Sequence, residues 1–260
     1  MKRLIVFDLD GTLAESKAAV DAEMAALLVG LLEVVKVAVI SGGTWSQFER
    51  QVIASLAAQA APARFSELSL LPTCGTKFYR YEAAWLQVYS QDLSAGEKDT
   101  IMRALTDMIG MSDLDATRTW GDRIDDRGSQ VTFSALGQAA PLEEKQRWDP
   151  DHKRRRALKA FLDARIPEFD VNLGGTTSID VTRPGIDKAY GIRKLRDILG
   201  IGIGRMLFVG DALYPEGNDH PVKGTGIASI QVRDPNETKR VVEAITACAD
   251  VRHPDEAPAP

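Results

Sequence analysis

Four consecutive apolar residues, Leu4-Ile5-Val6-Phe7, run without a break into Asp8-Leu9-Asp10-Gly11-Thr12. An apolar run of strand length suits a strand buried on both faces, as in parallel sheets covered by helices. Open α/β sheets bind ligands at the carboxyl ends of their strands, where this acid pair stands. Gly11 permits the sharp turn that would present both carboxylates. The rhythm continues: 16–32 reads as a helix, 37–40 as a second buried strand ending at Ser41-Gly42-Gly43, and 46–59 as another helix. It returns late in the chain, with a helix over 187–199, a strand over 206–209 ending at Gly210-Asp211, a strand over 227–232 and a helix over 237–249. The expected fold class is α/β, a doubly wound parallel sheet.

Between these stretches the pattern changes. Residues 77–81 and 85–89 alternate like the strands of a hairpin, and Ser94 to Glu97 forms a capping box ahead of Ile101, Leu105 and Met108 at helical spacing. Residues 130–136 alternate again, Asp149-Pro150-Asp151 offers caps to a helix over 151–164, and 170–173 and 178–182 flank Gly174-Gly175, a hairpin signal. Hairpins with helices between them mark an α+β module. The expected layout is a core made of 1–83 and 185–260, interrupted by an α+β insertion at 84–184. The Pro- and Ala-rich end, 252–260, reads as disordered.

Composition removes several functions. With 32 Lys+Arg against 37 Asp+Glu the net charge is −5, so the broad positive field of a general nucleic-acid binder or polybasic membrane protein is missing. Cys74 and Cys248 lie far apart and the three histidines have no ligand spacing, which excludes cysteine-rich or histidine-rich metal modules. No apolar run is long enough to span a bilayer or serve as a secretory signal. A cytoplasmic protein is the expectation.

Asp8, Asp10, Asp211 and Asp219 all fall at or just beyond strand ends. Four carboxylates in one crevice would repel strongly. They call for a hard cation, and an oxygen-only ligand set points to magnesium. Lys188, opening a helix, would stand as a fixed positive charge opposite a phosphoryl group. The ordered set Asp8-Leu9-Asp10-Gly11-Thr12, Ser41, Lys188 and Gly210-Asp211 with Asp219 resembles the haloacid dehalogenase superfamily, and the insertion resembles its type IIB cap. That resemblance implies Asp8 as phosphorylated nucleophile and Asp10 as general acid and base. It implies Mg2+ on Asp8, Asp211 and the Asp10 carbonyl. Thr12, Ser41, Gly42 and Lys188 would hold the phosphoryl group, with Asn218 and Asp219 orienting Lys188 and metal-bound water.

A closer resemblance, to the phosphomannomutase branch, runs through Arg127–Gln138, Gly174 to Val181, Gly185 to Lys188 and Gly210 to Asp219. It implies a hexose phosphate as substrate, held by Arg127, Gln138, Lys145, Ser178 and Asp180 of the cap. Members often pair through their caps, so a homodimer is the assembly it implies. The alternation agrees independently, since Thr132 and Ser134, and likewise Ser178 and Asp180, share a polar strand face. The departures favour a phosphatase. The branch carries arginines where this chain has Lys17, Gln138 and Lys145, the strand-end Ser41 is closer to the hydrolase form, and 84–184 holds 14 basic against 17 acidic residues. The expected activity is therefore hydrolysis of a hexose phosphate such as mannose 6-phosphate. The alternative is a mutase interconverting the 6-phosphate and 1-phosphate.

Other features read as structure. Gly200-Ile201-Gly202-Ile203-Gly204 precedes a strand and reads as a loop, not a dinucleotide site. Lys153-Arg154-Arg155-Arg156 with Lys159 reads as a solvated helix face. His220 reads as a peripheral residue, Cys74 as a small buried one, and the four tryptophans as packing.

Overall fold

The structure, a computed structural model, describes residues 2–59, 62–112, 114 and 118–250. The expected disorder of 252–260 lies outside the described residues. The chain runs β1 (Leu4–Asp8), α1 (Ala22–Leu32), β2 (Lys36–Ile40), α2 (Trp45–Phe48), a π turn (Glu49–Ile53), α3 (Ala54–Ala57), β3 (Leu68–Leu71), β4 (Lys77–Tyr81) and β5 (Trp85–Ser90). It continues through α4 (Ala95–Gly110), β6 (Ile124–Asp126), β7 (Gln130–Ser134), α5 (Leu142–Trp148), α6 (Lys153–Arg165), β8 (Asp170–Leu173) and β9 (Ser178–Thr182). Last come α7 (Lys188–Leu199), β10 (Met206–Gly210), β11 (Ala228–Gln231) and α8 (Pro235–Asp250).

A seven-stranded sheet has the order β11-β10-β1-β2-β3-β4-β5. It is parallel from β11 to β3 and antiparallel beyond. Strand β1 lies inside the sheet, between β10 and β2, and is buried along its whole length. Ile5 and Phe7 enter the core cluster that includes α1 residues, and Leu4 and Val6 the one that includes α7 residues, the two-sided burial that its apolar run requires. A separate four-stranded antiparallel sheet, β6-β7-β9-β8, builds the cap's own core from Val131, Phe133, Ile179 and Val181 against Ile101, Leu105 and Leu162.

Three details differ from expectation. Both strands of the 77–89 hairpin lie in the main sheet, so a boundary at 84 cuts through it. Trp85 packs on Phe65, Tyr81 and Trp45 at ring distances of 6.0, 5.4 and 5.8 Å, and these contacts fasten β5 to the core. The first helix starts at Ala22, not near Ser16, because Asp21 caps it by accepting from Met24 N–H. Upstream, the Lys17 N–H donates to Asp10 Oδ1 at 2.6 Å from a left-handed backbone of φ 61°. The helix expected over 46–59 is interrupted by the π turn. Among the described residues, no helix is long and apolar enough to cross a membrane.

Candidate active site

The carboxyl ends of β1 and β10 place Asp8 and Asp211 side by side. The loop after β1 closes on itself through Leu13 N–H to Leu9 O (2.9 Å) and Gly11 N–H to Ala14 O (2.7 Å). Gly11 has φ 86°, and a Cβ there would lie 2.6 Å from Asp211 Oδ2. Only glycine allows the two loops to approach this closely. Carboxylate oxygens of Asp8, Asp211 and Asp219 all lie within 4.8 Å of one another.

Lys188, at the first position of α7, answers this charge. Its Nζ donates to Asp8 Oδ1 at 2.6 Å and to Asp219 Oδ1 at 2.5 Å. It is 1% exposed. Burial pulls its pKa down, but Asp219 and Asp8 push it the other way and the net result is well above the ordinary lysine value. Asp8 is raised: burial and the like charges of Asp219 and Asp211 outweigh Lys188. Asp211 is raised too, by burial first and then by Asp219. Asp219 is fully committed, since its Oδ2 accepts from Ala212 N–H at 3.0 Å. The donor set that remains in the crevice wall, Asp8 and Asp211, is anionic and all oxygen, which fits a hard divalent cation.

A crevice of about 340 Å³ between cap and core is lined by Asp8, Asp10, Ser41, Gly42, Asp211 and Asn218 from below. The cap closes it with Arg127, Thr132, Lys145, Ser178 and Asp180. The β7–β9 register sets Thr132 opposite Asp180 and Ser134 opposite Ser178, so the polar strand face does turn toward Asp8. Asp180 Oδ1 accepts from Thr132 Oγ1 at 2.7 Å. Burial raises its pKa, with Arg127 and the Thr132 and Gln130 contacts opposing.

Three assigned residues are placed otherwise. The Thr12 hydroxyl does not reach the crevice: it accepts from Asp211 N–H (3.0 Å) and donates to Asp211 Oδ1 (3.2 Å), tying the two acidic loops together. Gln138 does not line the crevice either; its carbonyl and Oε1 accept from Lys17 Nζ at 2.7 and 3.0 Å. Lys188 stands behind Asp8, in the wall of an adjoining cavity. Sequence reasoning also missed Arg155, which it left on a solvated face. Arg155 is 3% exposed, pairs with Asp149 Oδ2 at 2.8 Å, and donates through Nη1 to Gly175 O of the β8–β9 turn facing the crevice. A signal existed: Arg155 falls three and seven residues before Leu158 and Leu162, on the apolar stripe of α6. Arg155→Met is expected to destabilise the fold by about 3–5 kcal/mol, because Asp149 is left buried without its partner. Urea unfolding measures it, and Arg156→Met, whose ion pair with Glu216 is half-exposed, should cost under about 1 kcal/mol.

A family model for eukaryotic phosphomannomutase matches residues 24–248. The chain belongs to this family. Similar relatives within it include the phosphomannomutase of Schizosaccharomyces pombe, 28% identical over 230 residues and 85% of both chains. That of Encephalitozoon cuniculi is 25% identical over 253 residues and 93% of both. Among solved structures, a haloacid dehalogenase-like hydrolase from Bacteroides thetaiotaomicron superposes with a TM-score of 0.64 at 17% identity, covering 94% of this chain and all of that one. Plasmodium falciparum IMP-nucleotidase superposes at 0.70 with 15% identity, over 94% of this chain and 70% of its own. These likenesses establish a haloacid dehalogenase fold. The family's enzymes of known name fit the mutase alternative better than the phosphatase reading.

Proposed function

We propose that the protein is a Mg2+-dependent hexose-phosphate mutase, acting on mannose 1-phosphate and 6-phosphate through an aspartyl-phosphate at Asp8. The observation that carries it is a cluster of three basic side chains, which we read as a second anion position. Lys17, Arg127 and Lys145 converge in the same crevice as Asp8, and they crowd one another. Lys17 is exposed as a residue, yet partial burial, then Lys145 and Arg127, pull its pKa down to about 8. Burial also lowers Lys145. Cations held this close are stabilised by a dianion between them. A monophosphate hydrolase needs one phosphate site, whereas a mutase must hold the far phosphate while the near one transfers. Of the cap's described acids, Asp180 lines the crevice and Asp125 pairs with Arg127 Nε at 2.9 Å, while the others stand outside it, so a charge count over the whole cap does not show the cluster. The family membership and the names of its relatives support the same reading.

In this scheme Asp8 carries a phosphoryl group supplied by a hexose bisphosphate. The hydroxyl at C6 of bound mannose 1-phosphate attacks phosphorus, the bond to Asp8 breaks, and Asp10 accepts the hydroxyl proton. Asp10 Oδ1 is occupied by the Lys17 N–H, leaving Oδ2 for that proton. The bisphosphate then reverses; Asp8 attacks the phosphorus on C1, and Asp10 returns its proton to the departing oxygen. When bound, magnesium would be held by Asp8 and Asp211 and would offset charge on the phosphoryl oxygens.

Lys17 supplies the pH test. Its charged form grips the far phosphate, so affinity falls as pH rises through about 8. The KM for hexose 1,6-bisphosphate should rise about tenfold between pH 7 and 9.5, the worth of one charge-assisted contact. Lys17→Met should already show the high KM at pH 7 and lose this limb of the profile. A flat profile in the wild type would remove the argument for the second anion position.

A further inference from the structure

Three residues in a row, Thr73, Cys74 and Gly75, have left-handed backbone, with φ of 48°, 56° and 85°. A β-branched threonine in that region is a true outlier, and such residues persist only where their surroundings over-determine them. Here the surroundings are the Ser41–Gly43 turn. Cys74 N–H donates to Ser41 O at 2.9 Å and Thr73 N–H to Gly43 O at 3.0 Å. The carbonyl between them, Gly42 O, accepts from Arg127 Nη1 of the cap at 2.6 Å. All three carbonyls of the turn are thus pinned. The Gly42 N–H, on a residue of the crevice wall, has no partner among the described residues.

The same left-handed segment is also fastened to the cap. Thr73 Oγ1 lies 2.6 Å from Thr76 Oγ1, Thr76 Oγ1 lies 2.6 Å from Ser129 Oγ, and Ser129 Oγ donates to Thr73 Oγ1 at 3.0 Å. This closed triangle of hydroxyls is buried. Ser129 immediately precedes β7 and stands two residues from Arg127, so one cap turn touches both the phosphoryl-binding turn and the segment behind it. On the core side, a Cβ on Gly75 would lie 2.7 Å from Gly191 Cα of α7, which leaves the segment no room to relax that way. None of the three hydroxyl residues lines the crevice.

We propose that Thr73, Thr76 and Ser129 are positioning residues that couple the seating of the cap to the shape of the Ser41–Gly43 turn. The inference rests on reading that turn as a phosphoryl site, but its first test does not need turnover. In hydrogen exchange on the full chain, Ser129→Ala and Thr76→Val should each speed exchange of 41–44 and 73–76 about tenfold, with the rest of the core unchanged. Thr76→Ser keeps the hydroxyl and should exchange like the wild type. Unchanged exchange at 41–44, a uniform rise across the chain, or a Thr76→Ser result equal to that of Thr76→Val would each overturn the coupling. Two substrates give the kinetic counterpart. Turnover of mannose 1-phosphate should fall about tenfold in Ser129→Ala and Thr76→Val. Phosphate release from acetyl phosphate, which uses the Ser41–Gly43 turn but has no sugar for the cap to grip, should fall by a smaller factor, about threefold. Equal losses on both substrates would mean a merely structural role.

Discussion

Replacing Asp8 by Asn is expected to abolish turnover, by about ten-thousand-fold or more, while leaving the metal-free protein at least as stable as the wild type. Asn is isosteric and still accepts from Lys188, so the geometry is kept; what disappears is the nucleophile. The stability half follows from the direction of the Asp8 shift. Its carboxyl is raised in the folded protein by burial and by Asp219 and Asp211, so the folded state takes up its proton more readily than the unfolded chain. As pH climbs from the ordinary carboxylate value toward the raised one, the wild type loses stability and the variant does not. The advantage of Asp8→Asn should be greatest at neutral pH and vanish below about pH 4. Thermal melts across pH measure it. Added magnesium should raise the wild-type melting temperature more than that of the variant, a readout independent of catalysis. A variant markedly less stable at pH 7 would show that the Lys188 contact, not the crowding of carboxylates, dominates.

The second large effect belongs to Lys188. Lys188→Met should unfold more easily by about 3–5 kcal/mol, because Asp8 and Asp219 are then two buried carboxylates with no cation between them. The added change Asp219→Asn should recover part of that stability by removing one of the two charges, and should recover no activity. Urea titrations of the single and double variants give the coupling directly. Equal stability of wild type and Lys188→Met would contradict the pairing at 2.6 and 2.5 Å.

Much of this site is legible in the sequence because its chemistry is local. Asp8 and Asp10 follow an apolar run that can only be a buried strand, and Gly11 marks the turn that presents them. The polar face of β7 and β9 is equally open to reading, since period-two alternation puts Thr132, Ser178 and Asp180 on one side. What cannot be read is contact across large sequence separations. Thr12 is turned away from the crevice by Asp211, 199 residues on. Gln138 is diverted by Lys17, 121 residues before it. The same limit bears on the reading of activity: Lys17 of the first loop, Arg127 of the β6–β7 turn and Lys145 of α5 line one crevice, whereas a count over the whole cap shows an acidic module. The hairpin of β4 and β5 was recognisable as a hairpin. Its allegiance to the main sheet depends on Trp85 meeting Phe65 and Trp45, which no local pattern reveals.

The central claim is that phosphorylated Asp8 passes its phosphoryl group to a sugar hydroxyl and not to water. Phosphorus NMR of mannose 1-phosphate with magnesium and a catalytic amount of hexose 1,6-bisphosphate tests it directly. The mutase reading requires mannose 6-phosphate to appear much faster than inorganic phosphate, and the reaction to depend on the bisphosphate. Rapid release of inorganic phosphate with little or no isomerisation would contradict it and return the enzyme to hydrolysis.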